Sequence, residues 1–191
     1  MNKYIKNAVC IPYGTLKLFW TKLFHPFNYH GTGLCYASLS SEITIDYGGK
    51  LSVGKMFKIR NGAKVIVRKD GNCSIGYHCF INSNSLIVCH NNIQIGDYCQ
   101  ISPHVQIYDH DHDFRDKEGL KSKKYKCDSV IIGNNVWIGA GSVILRGTII
   151  GDNCVIGAGS VIKGAIPSDT VVVQKRNTII KAMNKKEREI N

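Results

Sequence analysis

The chain has 191 residues, 43% of them hydrophobic and 20% charged, which is the make-up of one globular domain with short appendages. Its 19 glycines follow no period of three and its prolines number only 4, which excludes collagen-like and Pro-rich disordered classes, and no apolar run of ~18 residues is present to span a membrane as a helix. Lys and Arg number 25 against 14 Asp and Glu, so a net charge of +11 asks for an anionic partner without naming one.

Residues 1–36 read as a helical N-terminal segment. Leu16, Leu18, Phe19, Trp20, Leu23 and Phe24, with Lys17 and Lys22 among them, make an amphipathic basic helix. Such a helix caps the open end of a repeat structure, and a basic one with aromatics can also lie on an anionic membrane surface. The opening MNKYIKNAVCIPYGTLK has a basic start, but Pro12 and Gly14 break its short apolar stretch. It makes a poor signal peptide, so a cytoplasmic protein is expected, with the inner face of the membrane as a place it can work.

Residues 37–167 repeat. Val53, Ile59 and Val65 form one triplet at intervals of six; Ile75, Ile81 and Ile87 form a second, and Ile95, Ile101 and Ile107 a third. Ile132, Ile138, Ile144, Ile150, Ile156 and Ile162 then continue the same interval without interruption. Gly133, Gly139, Gly151 and Gly157 follow four of these isoleucines directly, and Val136, Ser142, Thr148, Cys154 and Ser160 stand four places after successive ones. Cys79 and Cys99 occupy that same slot, so cysteine here is a small filler and the eight cysteines, none of them in a CxxC pair, do not form a disulfide framework. A period of six is no α-helical stripe. It fits a solenoid in which each hexad gives a short parallel strand with a large aliphatic inward, a small residue at a tight corner, and glycine for backbone freedom. Three hexads close a triangular coil, and about five or six coils stack between 37 and 167.

The repeat is broken between Ile107 and Ile132 by a long polar loop, 109–129, reading DHDHDFRDKEGLKSKKYKCDS. Long loops in compact domains are functional or disordered, and a purely structural solenoid needs none. The tail, 168–191, reads as a strand and then a helix, with Ile179, Ile180 and Met183 turned to the solenoid. From Lys163 onward the basic residues outnumber the acidic ones by four, which suits a ligand with several phosphates. No zinc-finger, helix-turn-helix or RNA-binding pattern accompanies the charge, so nucleic acid is not an expected partner.

The stretch IGNNVWIGAGSVILRGTIIGDNCVIGAGSVI at 132–162 resembles the left-handed parallel β-helix of the hexapeptide-repeat acyltransferases, and ISPHVQIYDHDH is similar to the motif that precedes the loop in maltose-, galactoside- and capsular-polysaccharide-type O-acetyltransferases. The resemblance implies a left-handed coil, a homotrimer with active sites in clefts between neighbouring subunits, acetyl-CoA as donor, no metal, and as acceptor a sugar hydroxyl of a capsule, lipopolysaccharide or exopolysaccharide. It puts His112 on the catalytic position as general base, the residue type a poorly nucleophilic hydroxyl needs, with Asp109 or Asp111 available to orient the ring. Asn82, in FINSNSLIV, falls where such enzymes bind the acceptor, although Asn at that corner also serves the backbone alone. Trp137, in NVWIGAG, would line the acceptor or pantetheine cleft; the N–H of Ala140 would lie near the developing oxyanion, and Ala158 would contact pantetheine. Lys163, Lys175, Arg176 and Lys181 would hold the coenzyme's phosphates. Here the chain departs from the pattern: many members read VVAGNPAKVIR after the last coil, and this one reads VVVQKRNTIIK, without the GNP turn.

Three rival readings share the fold. A xenobiotic acetyltransferase differs only in acceptor. A zinc enzyme of the γ-carbonic anhydrase type would draw on His78, His90, His104, His110 and His112, whose spacing does not resemble that ligand pattern. A non-catalytic scaffold would have no reason to hold His112, Asn82 and Trp137 at matching register.

Overall fold

The computed structural model describes residues 3–31, 33–175 and 177–180. Helix α1 (Lys3–Phe24) leads into a parallel β-solenoid of three faces. The first face stacks Tyr29–Gly31, Lys50–Val53, Asn72–Ile75, Asn92–Ile95, Val130–Ile132, Ile149–Ile150 and Ala165–Ile166 in that order. The second stacks Tyr36–Ala37, Lys58–Ile59, Phe80–Ile81, Gln100–Ile101, Trp137–Ile138, Val155–Ile156 and Val171–Val172. The third stacks Glu42–Ile45, Lys64–Val67, Leu86–Cys89, Gln106–Tyr108, Val143–Ile144 and Val161–Ile162. The expected isoleucine columns are the registers observed: Ile59, Ile81, Ile101, Ile138 and Ile156 sit one above another, as do Val65, Ile87, Ile107, Ile144 and Ile162. Strands this short alternate one residue out and one in, so Trp137 is exposed while Ile138 is fully buried. Each buried isoleucine contributes about 1.5–3 kcal/mol, and the column repeats that contribution coil by coil.

The corners explain the small slot. Cys79, Cys99 and Cys154 each point their thiol at a carbonyl one coil along, Gly96 at 3.0 Å, Gly133 at 3.1 Å and Pro167 at 3.1 Å. Ser85, Ser142 and Thr148 do the same with hydroxyls, to Ser102, Gly157 and Ile162. All eight cysteines are free, and seven of them are buried. The glycine after each isoleucine has a different job from the one the repeat suggests. A Cβ on Gly139 would lie 2.6 Å from the Ala158 nitrogen, so it is close approach of the next coil that demands glycine there. The positive φ falls two residues later, at Gly141 (68°), Asn135 (53°) and Asn153 (57°). His78 and His104 occupy such positive-φ corners upstream, and His78 stacks on Tyr98 at 5.6 Å.

Helix α1 lies against the first coil. Gly14 makes the contact possible, since a Cβ there would be 2.4 Å from the Ala37 nitrogen, and Cys10 and Leu18 are buried beside it. Of the apolar residues that mark the helix, only Leu18 is buried; Leu16, Phe19, Trp20, Leu23 and Phe24 remain exposed. At the other end, Ile179 and Ile180 do not face the solenoid as expected but are exposed, at 79% and 91%, because residues 177–180 carry no regular structure. Met183 and the helix expected there lie outside the described residues. The excursion at 109–129 is not a plain loop: His110–His112 and Tyr125–Cys127 pair as an antiparallel hairpin, with a short 3-10 turn, Gly119–Ser122, at its far end.

Candidate active site

A column of polar residues climbs the far edge of the third face, one place beyond its strands. Asp46, Arg68 and His90 each follow a stacked strand, and His110 begins the hairpin where the fourth would continue. Asp46 Oδ2 accepts from Arg68 Nη1 at 3.3 Å, and the rings of His90 and His110 lie 3.8 Å apart at 34°. Asp109 anchors the turn. It is fully buried and accepts from the backbone N–H of His90 at 2.8 Å and of Asn91 at 2.7 Å, with His110 Nδ1 at 3.2 Å. Burial alone would raise its carboxyl, but His110, the two backbone N–H groups and the Cys89 thiol outweigh that and hold it below the usual carboxylate range. Burial first, and then the neighbouring His110, hold His90 below the ordinary histidine value.

The hairpin sets His112. It pairs with Tyr125 across the antiparallel ladder, their rings 4.8 Å apart, and Tyr125 also covers His90 at 4.4 Å. The next residue back, Asp111, binds Arg146 of the following coil at 2.6 Å and ties the hairpin to the solenoid. Asp46, Arg68, Lys69, Val88, His90, His110, His112 and Tyr125 together line an open cleft of about 470 Å³. Neither aspartate orients His112 within this chain: Asp109 serves His110, and Asp111 serves Arg146.

Trp137 lies on the second face and Asn82 at the corner that follows it, and the cleft's lining includes neither. Trp137 is 54% exposed and donates from Nε1 to Ser102 Oγ at 2.9 Å. Asn82 Oδ1 accepts from the Ser83 N–H at 2.8 Å, the backbone role its corner allows. Ala140 and Ala158 are exposed at successive coils, where the Ala140 carbonyl accepts from the Gly159 N–H at 2.7 Å. Lys163 and Lys175 are exposed at the C-terminal coils, and Arg176 and Lys181 lie outside the described residues. One chain therefore gathers His90, His110 and His112 at one edge and the Asn82, Trp137 and alanine positions on another side of the prism. The cleft residues that sequence reasoning passed over are Asp46, Arg68, Lys69, Val88 and Tyr125, and His90 and His110 entered it only as zinc candidates. A signal for one of them existed, because His90 precedes His110 by the interval that separates Ile87 from its stacked partner Ile107.

The five histidines once available to a zinc reading divide between the two corners and this cleft, and among the described residues no three His, Cys, Asp or Glu side chains are grouped to hold a metal ion. Residues 129–164 match the family described as bacterial transferase hexapeptide (six repeats). Over that stretch the chain carries the hexapeptide repeats of that family. This hexapeptide-repeat chain is 42% identical over 76 residues to Nodulation protein L of Rhizobium meliloti (strain 1021), covering 40% of this chain and 41% of that one. It is 29% identical over 148 residues to WbbJ of Escherichia coli (strain K12), named for an O-acetyl transferase role in lipopolysaccharide biosynthesis, covering 66% and 76%. The stretches matched in Nodulation protein L from two rhizobia span 41% and 48% of those relatives. Among solved structures, AntD, an N-acyltransferase of Bacillus cereus crystallised with dTDP and 3-hydroxybutyryl-CoA, superposes with a TM-score of 0.65 at 21% identity over 89% of this chain and 92% of that one, a likeness of fold.

Proposed function

We propose that this hexapeptide-repeat protein is an acetyl-CoA-dependent O-acetyltransferase that acts on a sugar hydroxyl of a surface polysaccharide, as a homotrimer whose sites are completed between subunits. The observation that carries the reading is His112, held on a tethered hairpin at the mouth of an open cleft beside His90, His110 and Tyr125. The O-acetyl transferase named in WbbJ supports the chemistry. His112 takes the proton from the acceptor hydroxyl as its oxygen attacks the acyl carbon, and the proton passes to the departing thiolate sulfur, so that ester and thiol are the products. Acetyl-CoA supplies an activated thioester; the exposed residues Ala140 and Ala158 and the lysines at 163 and 175 are the groups that would receive it.

In the proposed trimer a neighbouring subunit would bring its Asn82, Trp137 and Ala140 to a cleft that one chain leaves open. The eight free thiols accord with work in a reducing cytoplasm. The test is titration calorimetry with acetyl-CoA and dephospho-CoA. Micromolar binding that weakens at least about tenfold without the 3′-phosphate supports the donor despite the missing GNP turn. No binding of either ligand defeats the reading.

A further inference from the structure

Helix α1 has two apolar faces, and the solenoid uses only one. At 100° per residue, Cys10, Gly14 and Leu18 share the side that meets the first coil. Ile5, Val9, Leu16, Phe19, Trp20 and Leu23 fall on the opposite side, and every one of them is exposed, among them Leu16 at 53%, Phe19 at 60% and Leu23 at 57%. Phe24 ends the helix at 73% exposure and Phe27 continues the apolar surface past it at 85%. A continuous apolar surface of that kind on a folded domain marks an interaction site.

The charge around the stripe selects its partner. Residues 1–41 contain Lys3, Lys6, Lys17 and Lys22 and no Asp or Glu. Lys17 is taken up by the Ser41 carbonyl, while Lys22 is exposed beside the stripe. A second copy docking through the same face would bring lysine to lysine with no acid in the segment to meet it. An anionic lipid surface supplies both things the face lacks, an apolar layer for the aromatic and aliphatic side chains and negative headgroups for the lysines. We infer that α1 seats the protein on an anionic membrane surface, lying in the interface; among the described residues no helix is long and apolar enough to cross it.

Tyr13, Leu16, Trp20 and Phe24 of the helix form a groove of about 550 Å³ with Ile43 and Ile45 of the third face. Asp46, the next residue, already belongs to the histidine cleft. The groove beside the helix and the histidine cleft thus adjoin one strand, Glu42–Ile45, while α1 itself packs on Tyr36–Ala37 of the second face.

The experiment is co-sedimentation of the full chain with vesicles of phosphatidylcholine alone and of phosphatidylcholine mixed with phosphatidylglycerol. The expected result is binding to the anionic vesicles at least about tenfold above the neutral ones, weakening as salt is raised, and its loss in Phe19→Glu/Leu23→Glu. A second measurement does not depend on how that variant folds. In Trp137→Phe, Trp20 is the only tryptophan left, and its emission is expected to shift to the blue and to be quenched by brominated lipid. Equal binding to both vesicle types, no binding, or unshifted Trp20 emission overturns the inference. So does dissociation of the oligomer in the double variant, which would make the face a subunit contact. The readout is lipid binding and not turnover, so its failure leaves the acetyltransferase reading untouched, and the reverse holds as well.

Discussion

His112 and Asp109 stand three residues apart and do opposite things. His112 is exposed on the hairpin and free to meet a substrate, whereas Asp109 is fully buried and meets only its own chain. His112→Ala is therefore expected to lower kcat by ~10²–10⁴ while sedimentation shows an unchanged oligomer; turnover within a factor of two of the parent would remove His112 as the base. Asp109→Asn is expected to act on stability instead. It turns an acceptor-only group into one that also donates, facing two backbone N–H groups and His110, and the loss should be about 1–3 kcal/mol in denaturant titrations. The sign with pH follows from the depressed carboxyl. The unfolded chain takes up the proton first, near the ordinary 3.8, so the stabilisation is present above that value and is lost as pH falls through the lower folded one. Thermal midpoints below about pH 4 should accordingly fall less steeply in Asp109→Asn than in the parent. Sequence pointed to His112 through the resemblance of its DHDH stretch to a family motif, and the structure sets that residue at the cleft. The motif could not divide labour among the four residues, because Asp109 finds its donors at His90 and Asn91, one coil away.

The elements were legible wherever the period held. An interval of six fixes which residues point inward, and the stacked columns of isoleucines follow from it without any knowledge of contacts. Where the period lapses the sequence loses its grip. The excursion at 109–129 carries no hexads, and its antiparallel pairing of His112 with Tyr125 comes from strand geometry that no repeat announces. Helix α1 was visible as an apolar stripe, but its apolar residues serve two sides, and only close approach at Gly14 shows which side the solenoid takes. The column makes its own prediction. In a solenoid each coil contacts only its neighbours, so a core truncation matters most where coils cover it above and below. Ile101→Ala, in the middle of its column and 1% exposed, should lose about 2–5 kcal/mol. Ile166→Ala stands in the last described strand of the first face and is only partly buried, so it should lose clearly less. Equal losses in thermal unfolding would mean that the coils do not melt as a stack of neighbours.

At the scale of the whole molecule the question is why one chain separates what the proposed chemistry needs together. His112 leaves the third face by the hairpin, while Trp137 belongs to the second and Asn82 to the corner after it. A prism can bring such groups together only by setting the edge of one copy against a different side of another. That contact is head-to-tail, and in the proposed homotrimer three copies would close it into a ring. The arrangement can be tested without a structure of the assembly. His112→Ala and Trp137→Ala chains are each expected to be nearly inactive alone. Unfolded together and refolded as mixed trimers, they would form some interfaces with His112 from one subunit and Trp137 from the other. Random assembly of equal amounts leaves roughly a quarter of the sites intact, so turnover should recover to that fraction of the parent's. If each chain housed a complete site, no mixture could restore one, and activity would stay at the level of the separate variants. Recovery must also require mixing before assembly, since preformed trimers combined afterwards hold no shared interface. That control separates a site built between subunits from an additive effect of two weakened enzymes.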